Sequence, residues 1–186
     1  MGKPLFFRVS ANEYGENDII LPSDSSFSAG EDASRKIIAD ALDETFTEGK
    51  RSDYLFLFDS LENALLYLIK HKAYSHIYLV DVEDEDKVTK CDMNFIGGMM
   101  YLVRHYNGIC ECAKKELLNA FAKGYWESAA TESPCSEYLS RKATVRQHIF
   151  SIDEYGHQKL YMEYNANGRR ILELGEFKEL YKKVYL

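Results

Sequence analysis

Residues 53–82 constrain this chain more than any other stretch. The run 54–58 reads Tyr-Leu-Phe-Leu-Phe, a nearly unbroken apolar segment of strand-favouring residues. Asp59 or Ser60 can then cap a helix, because a short side-chain oxygen accepts a first-turn N–H. Leu61, Ala64, Leu65, Leu68 and Ile69 follow at amphipathic helical spacing. Residues 74–82, Tyr-Ser-His-Ile-Tyr-Leu-Val-Asp-Val, read as a further strand. A strand–helix–strand unit needs a sheet to join and a face on which the helix can bury its stripe.

Around this unit, residues 5–9 (Leu-Phe-Phe-Arg-Val) read as a first strand, and Arg8 is a cation inside it. A buried cation needs a partner, either one of the chain's acids or an anionic ligand suited to its planar fork. Residues 12–30 read as loop, with capping-box spacing at Ser28 and Glu31. The helix after it carries Ala33, Ile37, Ile38, Ala41, Leu42 and Phe46 on one face and ends near Gly49. Residues 92–104 form a helix with Gly97 and Gly98 inside it, which predicts a kink or a tight approach. Residues 111–126 form a firmer helix, apolar at Leu117, Leu118, Phe121, Ala122 and Tyr125. Its end, Tyr125-Trp126, reads as core or as one wall of a cleft.

A loop-like run, 127–135, then leads into a strand centred on Ser136-Glu137-Tyr138-Leu139, and residues 143–152 form the next strand. A carboxylate at the mouth of a strand behind a loop can face a ligand and escape unpaired burial, so Glu137 is the candidate acid. Residues 153–156 read as a turn. The segments 159–164 and 170–174, either side of Asn165-Ala166-Asn167-Gly168, read as a hairpin, and 176–185 as a closing helix. No repeat or linker divides the chain, and its 186 residues suit one domain spanning 1–186.

Composition bounds the function. The net charge of -7 argues against a nucleic-acid protein working by bulk electrostatics, since phosphate binding needs clustered Lys and Arg. No apolar run approaches the roughly 20 residues of a membrane helix, and no signal core is visible near Met1. The expectation is a soluble cytoplasmic protein, or one delivered by a specialised secretion system. Cys110-x-Cys112 is too tight for a zinc knuckle, no His or Cys cluster has ligand spacing, and no metal is expected. The four cysteines read as reduced, mostly packing thiols. The acid run at Asp81 and residues 83–86 reads as a solvated loop, without the ordered oxygen spacing that calcium needs.

In the order of its elements the chain resembles the ADP-ribosyltransferase superfamily, in its bacterial toxin-like and uncharacterised branches. Phe7-Arg8-Val9-Ser10 resembles the first-strand motif that places a His or Arg against NAD. The stretch from Tyr54 through Ser60 to Ala64 resembles the second-strand motif and the helix packed on it. Ser136-Glu137-Tyr138-Leu139, followed by Val145-Arg146, resembles the strand bearing the catalytic glutamate. The resemblance covers residues 4–150, with 151–186 as an added hairpin and short helix. It implies an α+β fold with a split mixed β-sheet core and flanking helices, and NAD as substrate. Glu137 would be catalytic, and Arg8, Tyr54, Phe56 and Ser60 would hold the cofactor. The chain departs from the pattern at Phe56, where a tyrosine is usual, and at Leu57-Phe58, where a Ser-Thr-Ser would start. Cys135 replaces the first acid of Glu-x-Glu, which disfavours arginine as acceptor.

The implied reaction cleaves the nicotinamide–ribose bond through an oxocarbenium-like transition state that Glu137 would face. Arg8 would orient phosphate or ribose, and Tyr54 or Phe56 would hold the nicotinamide ring. Residues 127–136 would choose an acceptor: protein side chain, base, small molecule or water. On this reading Glu137→Gln abolishes NAD turnover and leaves the fold intact. The alternative is a non-catalytic binding or interaction module on the same fold, favoured by Phe56 and the missing serines. An unrelated α+β interaction protein is a further rival, and a cysteine hydrolase pairing Cys135 with His148 a weaker one.

Overall fold

The computed structural model describes residues 4–22, 33–83, 88–106, 108–127, 136–168 and 175–185. The class is α+β: among the described residues the chain forms seven strands and six helices. It divides into two compact units interleaved in sequence. The first takes residues 1–20, 56–83 and 143–186, the second 21–55 and 84–142.

The first unit is built on β1 (Phe6–Ser10), β2 (Ile19–Ile20), β3 (Leu55–Phe58, of which 56–58 belong here), β4 (His76–Val82) and β7 (Ala143–Ser151), in the spatial order β2-β7-β4-β1-β3. Their ladders are antiparallel, where the resemblance implied a mixed sheet. The strand–helix–strand unit read from the sequence is present as β3, α2 (Leu61–Lys70) and β4, with β1 inserted between the two strands. Every residue of β1 is buried, as befits a strand paired on both sides and covered by α2. Ser60 caps α2 by accepting the Asn63 N–H at 3.2 Å. Leu61, Ala64, Leu65 and Leu68 form the buried stripe of that helix.

The segment read as a hairpin is a helix. α5 spans Glu154–Ala166, so residues 159–164 are helical and not a strand. The expected turn at 153–156 is the start of that helix: the Asp153 carboxylate accepts the Gly156 N–H at 2.7 Å. His157, Leu160 and Tyr164 recur at helical spacing and are buried, and this stripe outweighs the local turn residues. The second arm of that hairpin, 170–174, lies outside the described residues. α6 (Gly175–Tyr185) closes the chain as expected, and its Tyr185 hydroxyl accepts the Leu61 N–H that opens α2. The pair Ile19–Ile20, expected as loop, adds an edge strand to β7.

The second unit holds α1 (Ala33–Thr45), α3 (Asn94–His105), α4 (Glu111–Glu127) and the antiparallel pair β5 (Thr89–Asp92) and β6 (Ser136–Ser140). β5 was not foreseen, because Thr89-Lys90-Cys91-Asp92 is short and polar. α1, α3 and α4 pack on one another, and α4 also packs on β5. α3 runs unbroken through Gly97-Gly98. A Cβ at Gly98 would lie 3.0 Å from the Phe121 ring of α4, so this glycine permits a tight approach. Gly124 of α4 is tighter still, its Cβ position lying 2.4 Å from the Phe95 ring of α3. The capping box expected at Ser28 and Glu31 lies outside the described residues. Among those residues no helix is long and apolar enough to cross a membrane.

Candidate functional site

Glu137 is the centre of a buried polar cluster in the second unit. On β6 it stands directly opposite Cys91 of β5, so the two side chains share one face of the ladder. Period-two alternation places Leu139 on that face as well, and Glu137 and Leu139 are 1% and 0% exposed. A carboxylate so buried must be paired. Arg51, in the 3-10 turn Arg51–Asp53, donates from Nη2 to Glu137 Oε1 at 2.7 Å. The Tyr125 hydroxyl, from the last turns of α4, donates to the same Oε1. Arg51 also donates from Nε to the Tyr125 oxygen at 3.0 Å, closing a triangle of three buried groups.

The electrostatics follow from that triangle. Burial alone would drive the Arg51 guanidinium toward neutrality, but the fields of Glu137 and the Tyr125 oxygen, with their hydrogen bonds, raise its pKa above the usual value. Burial pushes the Tyr125 phenol well above its ordinary range, with Arg51 opposing and Glu137 reinforcing. The Cys91 thiol is pushed up to about 12, by burial first and by Glu137 second. The cluster is therefore a fixed ion pair flanked by two groups held neutral.

The other residues named from the sequence are placed as follows. Arg8 is buried on β1 and donates from Nη1 to the Phe56 carbonyl at 3.0 Å. Arg8, Phe56 and Ser60 belong to the first unit, and the Ser60 oxygen is occupied as the α2 cap. Tyr54 belongs to the second unit. It is buried, its hydroxyl donates to the Glu48 carbonyl at 3.1 Å, and the Arg141 guanidinium lies 5.3 Å from its ring centre. The acceptor-choosing run is outside the described residues at 128–135, and Cys135 with it. His148, its suggested partner in a hydrolase, instead bonds Ser151 Oγ through Nε2 at 2.7 Å. His76 Nδ1 meets the same oxygen at 2.9 Å.

Two further features were not singled out in the sequence. Arg51 carried no motif; its signal would have been the Lys50-Arg51 pair just before the strand that precedes α2. The second is a groove of about 610 Å³ in the second unit. Phe46 and Trp126 stack there with ring centres 3.8 Å apart and planes within 10°. Trp126 is fixed by its Nε1 donating to the Leu42 carbonyl at 3.0 Å. Thr47, Thr89 and Asn119 line it with hydroxyl and amide groups, together with Glu48, Lys123 and Glu127. Lys123 lies 3.5 Å from Glu127, so among the described residues the lining offers no unopposed cation. Among the described residues no three His, Cys, Asp or Glu side chains converge as a metal site. No family model matches this chain, and no curated protein matches it.

Proposed function

We propose that this chain is a non-catalytic binding or interaction module and not an NAD-consuming ADP-ribosyltransferase. The observation that carries the reading is the state of Glu137: 1% exposed, with one oxygen taken by both Arg51 and Tyr125. Catalysis on NAD needs a carboxylate that faces the ribose and is freshly available as positive charge develops. Pulling Glu137 away from Arg51 would cost about 3–5 kcal/mol, the usual penalty for breaking a buried pair. At 1.4 kcal/mol per factor of ten, that leaves roughly one molecule in a hundred to one in several thousand competent.

The groove over the Phe46–Trp126 stack is the surface such a module would use. Its aromatic pair and its hydroxyl and amide groups suit a neutral or cationic polar ligand. Among the described lining residues, two carboxylates against one lysine disfavour the pyrophosphate of a dinucleotide. Incubation with NAD at millimolar concentration, followed for released nicotinamide, is the test. The expected result is no release above that of Glu137→Gln. Release that depends on Glu137 would overturn the proposal and restore the transferase reading, with NAD as substrate and Glu137, Arg8, Tyr54, Phe56 and Ser60 in their expected roles.

A further inference from the structure

Cys110 and Cys112 behave differently from the packing thiols expected of them. Cys91 is fully buried, but these two are exposed at the start of α4, with their sulfurs 2.7 Å apart. The spacing arises from helix geometry. Cys110 is the residue before α4, and its carbonyl accepts the Lys114 N–H at 3.0 Å, which makes it the cap. Cys112 is the second helical residue, so its side chain turns back over the cap. The Cys110 sulfur therefore meets both the other thiol and the open first turn of a 17-residue helix.

We propose that Cys110 and Cys112 form a thiol–disulfide exchange site, oxidised by small-molecule disulfides of the glutathione type. Cys110 is the attacking thiol. Its pKa lies below the ordinary thiol value, first through the hydrogen bond with Cys112 and then through the backbone N–H of Ala113. The Cys110 thiolate attacks one sulfur of the small disulfide. A protein–glutathione S–S bond forms, the old S–S bond breaks, and one thiolate leaves to take a proton from solvent. Cys112 then loses its proton and attacks the Cys110 sulfur. The Cys110–Cys112 bond forms and the second glutathione thiol is released. The dithiol is oxidised by two electrons, and one disulfide is reduced to two thiols. A bridge spanning a single residue at an exposed helix start belongs to the labile, exchangeable class and not to the structural one.

The test equilibrates the full chain with reduced and oxidised glutathione and reads intact mass and peptide maps after acid quench. The expected wild-type product lacks two hydrogens, carries no lasting adduct, and maps to a Cys110–Cys112 bridge. In Cys112→Ser the second step is removed, so one glutathione stays trapped on Cys110. In Cys110→Ser the adduct on Cys112 forms several-fold more slowly. Circular dichroism checks that both serine variants fold, and their exposed positions lead us to expect that they do. Lasting adducts on both cysteines of the wild type, a bridge to Cys135, or no reaction at millimolar oxidised glutathione would each overturn the assignment. None of these readouts depends on NAD or on the groove.

Discussion

Replacing Glu137 with Gln separates an architectural acid from a catalytic one. The substitution keeps the side chain's shape and an oxygen that can still accept from Tyr125. It removes only the charge that answers Arg51. At 2.7 Å, with an effective dielectric of about 20, the attraction is about 6 kcal/mol, offset in part by desolvation of both groups. Removing one member of such a pair costs about 3–5 kcal/mol, because the remaining charge stays buried. A domain is stable by only about 5–15 kcal/mol in all. At about 2–4 °C per kcal/mol for a chain of this size, Tm should fall by about 6–20 °C. Thermal and urea unfolding followed by circular dichroism measure it. The control is the double variant Arg51→Met with Glu137→Met, which removes both charges and should cost less than the sum of its single changes. On this reasoning Glu137→Gln lowers stability, where the transferase reading expects the fold to be left intact. A Tm within about 2 °C of wild type, or additive Met variants, would refute the reasoning.

Alkaline pH should loosen the second unit. Cys91 and Tyr125 are neutral when protonated, and burial raises both pKa values in the folded chain. The Cys91 contribution is complete below the ordinary thiol value of 9.0 and is lost as pH rises toward about 12, and Tyr125 adds to the loss above the ordinary phenol value of 10.0. The urea midpoint should therefore drop across that window, and drop less in Cys91→Ala; a flat profile would count against the buried cluster. Gly124→Ala should destabilise by about 1–3 kcal/mol, because its Cβ would meet the Phe95 ring at 2.4 Å, and Phe95→Ala in the same chain should recover part of the loss. Ser60→Ala should cost about 1 kcal/mol through the lost α2 cap, read by urea unfolding, and an unchanged midpoint would show the cap to be idle.

The sequence alone determined the elements whose burial is written into their spacing. Leu61, Ala64, Leu65 and Leu68 share a face at helical spacing, and the short apolar run before them, bounded by Asp53 and Asp59 and rich in aromatics, fits a buried strand. It misread residues 159–164, because Asn and Gly nearby favour a turn locally, whereas the stripe of His157, Leu160 and Tyr164 acts across the whole helix. It missed β5, whose four residues are held by their ladder to β6 and not by their own preference. Glu137 was legible as a residue of interest, but its partners were not. Arg51 and Tyr125 stand 86 and 12 residues away, and no local pattern announces a contact over such distances. Whether a carboxylate faces a ligand or a guanidinium depends on which chain segments the fold brings together, and that is fixed by packing and desolvation acting through tertiary structure.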